Sequence, residues 1–347
     1  MRQRVPRERS RRIPLFVSAV ASAVALLAGG GCGRGEHADS TPRHRITIGI
    51  QISPAMALVM VAQDKGFFRQ HGLDVELKEF TAGKFALQAF LAGGVDFAVS
   101  GEVPVGLATL QGNAIRVVCQ VVERTQSEVR VVALRDDDIT DPAKYFKSKK
   151  RKLATSFGGG PEFFTYSFLK RYQIAKDEVE IISQKPEDMP AALAAGSVDA
   201  VAIFEPFAYF AEKRTKRSVV VFSDSSLYSE LYVLNVTPEQ IDEKSTDVAG
   251  VVRALVDAGD FVGARPEEAK AIVQKYTKLD TETIEAIWPS FVFRPALSSE
   301  LVRLWQAEAE WARETGKVRP NARIPDFRTI IEPRFLESAR PSAVGLR

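Results

Sequence analysis

The chain has 347 residues, 45% of them hydrophobic and 26% charged, ordinary values for a globular protein and enough length for two domains with full cores. Its formal charge of +3 overstates its basic character. Six arginines against Glu8 put about +5 into residues 1–31 and leave about −2 for the remainder, which gives no electrostatic reason to expect nucleic acid. The two cysteines and three histidines (His37, His44, His71) form no group with zinc-ligand spacing, so neither a metal nor a cofactor is expected.

The arginines are followed by an apolar run over residues 13–28, shorter than the roughly 20 residues a membrane span needs, and then by Gly29, Gly30 and Gly31. That layout is a secretory signal over residues 1–31. Cys32 stands where a bacterial lipoprotein signal places its lipidated cysteine, although Gly29 occupies the position where a leucine is usual; plain export and an uncleaved anchor are the alternatives. Residues 32–44 are small, polar and charged, the composition of a flexible lipoprotein tether. Cys119, inside the apolar run IRVVCQVV, reads as a small buried hydrophobe.

Folded structure is expected from Arg45. Residues 46–50 alternate as a strand, and Ser53 with Pro54 supplies an N-cap and first turn for a helix to about Arg69. Residues 74–80 read as a strand, 84–91 as a helix, 95–99 as a strand and 103–111 as a helix. Strand and helix alternating over short connections predict a parallel sheet whose ligands collect beyond the carboxyl ends of its strands. Those ends carry Gln51, Ser53, Thr81, Ser100, Gly101 and Glu102. Residues 115–122 and 129–134 read as two β runs that form the first passage from one lobe into a second.

The charged segment from Lys147 to Lys152 reads as a solvated loop. Beyond it, residues 153–156 lead into Phe157-Gly-Gly-Gly-Pro161 and a helix over 162–172. Glycines leaving a strand and a proline opening a helix either expose N–H groups to an anion or serve only a tight turn, and both readings stand. A strand at 179–182, a helix at 187–195, a strand at 198–203, a helix from Pro206 and an edge strand at 219–222 follow. Residues 231–236 read as the return to the first lobe. From Pro238 the pattern is helical, near 245–263, 266–276, 280–287 and 299–315. Trp288, Phe291, Phe293, Trp305 and Trp311 are expected to pack this block onto the first lobe.

Two stretches repeat each other. LQAFLAGGVDFAVSGEVP (residues 87–104) and PAALAAGSVDAVAIFEPF (residues 190–207) carry Gly93, Val95, Asp96, Ala98 and Glu102 against Gly196, Val198, Asp199, Val201 and Glu205, at a constant offset of 103. Each copy is a helix closed by glycine, a turn, a short strand and a glutamate where a second helix could start. The repeat implies two similar α/β lobes facing each other. Glu102 and Glu205 can accept from an amine or ring N–H, or stand as silent negative charges at helix N-termini.

The combination of Gly66-Phe-Phe-x-x-x-Gly72-Leu-Asp-Val-Glu76, Ala92-Gly-x-x-Asp96-Phe-Ala, Ser100-Gly-Glu-Val-Pro104, Ala195-Gly-x-Val-Asp199 and Glu205-Pro206 resembles the substrate-binding proteins of ATP-driven importers for nitrate, taurine, alkanesulfonates and the thiamine pyrimidine precursor. The resemblance covers residues 45–330 and implies an α/β fold of the two-lobed periplasmic-binding-protein type II, with a cleft between the lobes. Residues 45–128 with 232–335 would form lobe one and 129–231 lobe two, with the helical C-terminal block packed on lobe one. It further implies a monomer, tethered by a lipid anchor in the periplasm or on the outer face of the cell membrane, that binds a small-molecule ligand and docks on an ABC permease. Carried over by position, the ligand site would take Gln51, Ser53, Pro54, Met56, Ser100, Gly101, Glu102, Thr125, Ser156, Gly158, Gly159 and Glu205. Phe204 stands where a tryptophan is common in similar proteins. The ligand implied is a small anionic or zwitterionic organic solute, sulfonate-, taurine- or nitrate-like, or a pyrimidine precursor. The alternatives are an enzyme of the same fold acting on a pyrimidine or menaquinone-pathway intermediate, and a ligand-sensing partner of a membrane receptor.

Overall fold

The structure is a computed structural model that describes residues 43–346; the expected signal, Cys32 and most of the tether lie outside the described residues. Strand β1 (His44–Gln51) runs into a 3-10 turn at Pro54–Met56, which Ser53 caps by accepting the Ala55 N–H at 3.2 Å. The single helix expected up to Arg69 is instead two, α1 (Ala57–Asp64) and α2 (Phe67–Gln70). Between them Gly66 has φ +74°, a left-handed conformation that an α-helix does not accommodate. There follow β2 (Leu73–Phe80), α3 (Gly83–Leu91), β3 (Phe97–Gly101), α4 (Glu102–Leu110) and β4 (Arg116–Gln120).

The chain then crosses through β5 (Arg124–Thr125) into β6 (Arg130–Leu134), α5 (Pro142–Lys147), β7 (Arg151–Thr155), α6 (Gly160–Arg171), β8 (Val179–Ser183), α7 (Met189–Ala195), β9 (Ala200–Ile203), α8 (Phe207–Arg214) and β10 (Val219–Phe222). It returns in β11 (Tyr232–Val236). The first sheet has the order β2-β1-β3-β11-β4 and the second β10-β6-β9-β7-β8. In each, three parallel strands meet an antiparallel strand that follows a crossing, β11 beside β3 in the first and β6 beside β9 in the second.

The sequence repeat is a repeat of structure. Gly93 and Gly196 have φ +73° and +74°, where their copies of the helix end. Asp96 accepts the Thr47 N–H at 2.8 Å and Asp199 the Lys152 N–H at 2.8 Å, while each aspartate donates its own N–H back to the same residue's carbonyl. Each aspartate therefore ties its turn to the neighbouring parallel strand at the point where pairing begins.

The charged run at 147–152 is not wholly solvated. Arg151 is buried, lies over the Tyr145 ring at 3.7 Å, and donates to the Tyr145 carbonyl at 2.6 Å and to Asp136 at 2.7 Å. Its side chain faces inward because β7 has already begun there, so strand alternation rather than charge decides its side.

The C-terminal part holds α9 (Pro238–Glu243), α10 (Ser245–Ala264), α11 (Pro266–Thr277), α12 (Thr281–Ile287), β12 (Phe291–Val292), β13 (Leu297–Ser298), α13 (Ser299–Glu314), α14 (Arg334–Ala339) and β14 (Val344–Gly345). Helix α10 lies so close to β2 that a Cβ at Gly250 would meet Leu73 at 3.0 Å. The expectation that the aromatic residues pack only on the first lobe is corrected at α13. Trp305 donates from Nε1 to the Glu102 carbonyl at 3.0 Å, on the first lobe, but Trp311 packs edge-on against Phe163 of α6 at 5.5 Å. A helix of 16 residues is about 24 Å long, enough to reach both sheets. Among the described residues, no helix is long and apolar enough to cross a membrane.

Candidate ligand-binding site

Loop ends from both sheets converge on one small cavity of about 20 Å³. The first sheet contributes Gln51 after β1, Ala82, Gly83 and Lys84 after β2, and Gly101 and Pro104 after β3. The second contributes Ser156, Gly159, Gly160 and Pro161 after β7 and Phe204 after β9, while Glu230 enters from the returning crossing segment. These are the carboxyl ends of parallel strands, where side chains and helix N-termini can face a ligand without interrupting a ladder.

The cavity walls are held by polar contacts. Gln51 is buried, donates to Ser53 Oγ at 2.9 Å and accepts the Gly83 N–H at 2.9 Å, which fixes both orientation and amide flip. Lys84 reaches across from the first sheet's loop to the second's, donating to Ser156 Oγ at 3.1 Å and to the Phe157 carbonyl at 2.7 Å. Burial pulls the Lys84 ammonium below the ordinary lysine range, against the attraction of Glu162 and Glu187.

Beside the cavity, the two crossing segments are tied together: Thr125 donates its N–H to Ser229 Oγ at 3.0 Å, and that hydroxyl donates to the Thr125 carbonyl at 2.9 Å. Four carboxyls gather here, and among the described residues none of them has an ion pair: Glu102, Glu128, Glu230 and Glu308. Glu102 accepts from the Tyr228 hydroxyl at 2.5 Å and the Leu231 N–H at 2.7 Å, and Glu128 from the Tyr232 hydroxyl at 2.9 Å. Among the described residues, Oε2 of Glu128, Oε2 of Glu230 and both oxygens of Glu308 find no N–H or hydroxyl donor, only one another's carboxyls. Burial, against these hydrogen bonds, pushes Glu102 up to about 7. Burial and the charges of Glu205 and Glu102 push Glu128 up to about 8. Burial and the surrounding carboxyls raise Glu230 and Glu308 well above the ordinary range.

Of the residues that the sequence places at the site, Gln51, Gly101, Ser156 and Gly159 line the cavity. Ser53, Pro54 and Met56 form the buried turn behind Gln51. Ser100 accepts from Asn235 at 3.0 Å inside the first sheet, and Gly158 (φ +78°) gives its N–H to Glu162 at 2.7 Å. Thr125 opens onto a separate surface hollow with Arg124, Ser229 and Ser298. Glu102 and Glu205 do not line the cavity. Glu205 pairs with Arg130 at 2.5 Å and accepts the Tyr209 N–H at 2.9 Å.

Sequence reasoning missed Lys84, Glu128 and Glu230. Glu230 had a readable signal: a lone carboxylate in LYSELYVL, entering a run of apolar and aromatic residues, is costly unless something pairs with it. A larger groove of about 530 Å³ lies elsewhere, between α6, β8 and α13, lined by Phe157, Tyr166, Ile181 and Trp311. Of the converging loop-end residues' neighbours it holds Thr155, Phe157 and Glu162, and it holds none of the four gathered carboxyls.

A family model described as NMT1/THI5 like matches residues 53–269. The taurine-binding periplasmic protein of Escherichia coli (strain K12) is 26% identical over 229 residues, covering 66% of this chain and 63% of that protein. Among solved structures, the periplasmic aliphatic sulphonate binding protein SsuA of Escherichia coli superposes with a TM-score of 0.71 at 19% identity, covering 83% of this chain and 97% of that one. The periplasmic nitrate-binding protein NrtA of Synechocystis PCC 6803 superposes with a TM-score of 0.70 at 14% identity, covering 86% and 89%. The fold is thus the two-lobed α/β fold of periplasmic binding proteins.

Proposed function

Because the chain belongs to the NMT1/THI5-like family, we propose that it is the non-catalytic solute-binding component of an ABC-type importer. It works as a monomer, anchored through lipid at Cys32 on the outer face of the membrane or in the periplasm, and delivers its solute to a permease. The observation that carries this reading is the convergence of loop ends from two sheets on one cavity. Ligand contacts available on both lobes only after closure are what shift such a hinge towards its closed state.

A cavity of about 20 Å³ has room for roughly one water, so an organic solute enters only when the lobes part. Parting them breaks the Lys84 bridge to Ser156 and Phe157, and closure remakes it or replaces it with solute. Lys84, Ser156 and the glycine N–H groups suit an acidic end of a small zwitterionic or anionic solute, sulfonate-, taurine- or nitrate-like. The buried acceptors beside them suit N–H donors, as in a zwitterion or a pyrimidine precursor. The relatives' names support a small polar solute of this range.

Thermal-shift screening of the purified chain against sulfonates, taurine, nitrate, aminopyrimidines and amines, followed by small-angle scattering with each hit, tests the function. The expected result is a hit that raises the melting temperature and lowers the radius of gyration. A chain whose scattering and melting respond to no small solute would contradict it.

A further inference from the structure

We infer that Glu230, with Glu128 beside it, is the seat of an organic cation bearing N–H donors, a protonated amine or amidine, and that the solute this protein captures carries such a group. The inference rests on the solute-binding reading and names its chemistry.

Glu230 is the one carboxyl that both lines the cavity and belongs to the buried group. Two glycines make room for it. A Cβ at Gly101, on the first lobe, would stand 2.7 Å from Glu230 Oε1, and a Cβ at Gly160, at the start of α6 on the second, would stand 2.7 Å from the same oxygen. The carboxyl is therefore held between the first turns of two helices from opposite lobes. Those turns do not satisfy it, since Oε2 finds no N–H or hydroxyl donor among the described residues. A buried acceptor without a donor is costly; a proton shared with the neighbouring Glu128 meets that need in the empty protein, and a ligand donor arriving through the cavity can take that proton's place.

The charged and titratable groups around Glu230 set the sign of that ligand. Glu128 from the outgoing crossing, Glu102 from α4 and Glu308 from α13 surround it with carboxyls, neutral while they hold protons and negative once they lose them, and Tyr228 and Tyr232 spend their hydroxyls on Glu102 and Glu128. Among the described residues the one cation lining the cavity, Lys84, gives its ammonium to Ser156 and Phe157. Glu128 and Glu230 lie within carboxyl-to-carboxyl hydrogen-bond reach, so a shared proton satisfies the pair when no cation is bound. An arriving cation displaces that proton to solvent. An oxyanion would instead face four carboxyls with one occupied lysine.

The test compares molecules of one carbon skeleton: propylammonium, 3-aminopropanesulfonate and propanesulfonate, with acetamidinium added as a planar cation. Calorimetry at neutral pH in two buffers of different ionisation enthalpy reads both affinity and protons released. Propylammonium, acetamidinium and the zwitterion are expected to bind at least tenfold tighter than propanesulfonate and to release close to one proton. Glu230→Gln, nearly isosteric, is expected to weaken them at least tenfold and abolish proton release. Tighter binding of propanesulfonate, or binding without proton release to the wild-type protein, overturns the cation seat while leaving the solute-binding function standing; so does a folded Glu230→Gln that binds as the wild type does. If none of the four binds or raises the melting temperature, the cation seat is overturned, while the solute-binding function falls only if the wider solute screen also gives no response.

Discussion

Glu102 and Glu205 are the same residue of a repeated unit, 103 positions apart, and burial raises both above the ordinary glutamate range, yet their partners differ. Glu205 meets the Arg130 guanidinium at 2.5 Å and the Tyr209 N–H at 2.9 Å. Glu102 meets the Tyr228 hydroxyl, the Leu231 N–H and the facing Glu308, with no cation among the described residues. Each glutamate ties its lobe's helix start to a crossing segment: Arg130 ends the outgoing crossing, while Tyr228 and Leu231 lie on the return. A duplicated motif thus fixes where the carboxyl stands, and residues from outside the motif decide whether it is an ion pair or a proton holder.

The largest expected effect comes from breaking the ion-paired side. Arg130→Met leaves Glu205 buried and unpaired and should cost about 3–5 kcal/mol in urea denaturation, with much of it recovered by adding Glu205→Gln. A single-variant loss within experimental error would remove the distinction between the two glutamates.

The protonated side should show itself in pH dependence. Glu102 is raised to about 7 and Glu128 to about 8, so the folded state holds these protons more tightly than the unfolded chain. Their stabilising contribution is present in full below the ordinary glutamate range and is lost as pH rises through 7 and 8. At about 1.4 kcal/mol per pKa unit, Glu102 contributes on the order of 3 kcal/mol to this slope. Denaturation midpoints should therefore fall between pH 5 and 9, and Glu102→Gln should flatten the curve; an equally steep curve in that variant would count against the assignment.

The aspartates of the repeat offer a finer comparison. Asp96 accepts from both the N–H and the hydroxyl of Thr47, whereas Asp199 accepts only the Lys152 N–H. Asp96→Ala should cost about 1–3 kcal/mol and Asp199→Ala less, read from chemical denaturation. The reverse order would show that the copies are not used alike. Lys84→Ala should change stability least, by about 1 kcal/mol or less, but should raise the radius of gyration by removing a bridge between lobes. An unchanged scattering profile would assign closure to other contacts.

The fold was readable because its signals are local. Alternation marked β2, and the valines of the second sheet's edge marked β10, at bounds close to those observed. The αL break at Gly66 was less visible, since Gly66 lies inside a helical pattern and only its φ of +74° shows that the helix stops. The candidate site was half legible. Gln51, Gly101, Ser156 and Gly159 follow from being at strand ends, which sequence order reveals. Glu128 and Glu230 do not, because their surroundings are assembled from α4, α13 and both crossings, which are separated by up to about two hundred residues and brought together only by folding. Trp311 was misplaced for the same reason: its partner Phe163 lies in the other lobe.

A cleft bordered by proton-holding carboxyls on one lobe's hinge, with an ion pair on the other's, is tested most directly by carbon NMR of glutamate-labelled protein titrated from pH 4 to 10. Two side-chain carboxyl resonances should titrate at about 7 and about 8, the first disappearing in Glu102→Gln and the second in Glu128→Gln. Both carboxyls titrating below pH 5, in the range of exposed glutamates, would contradict it.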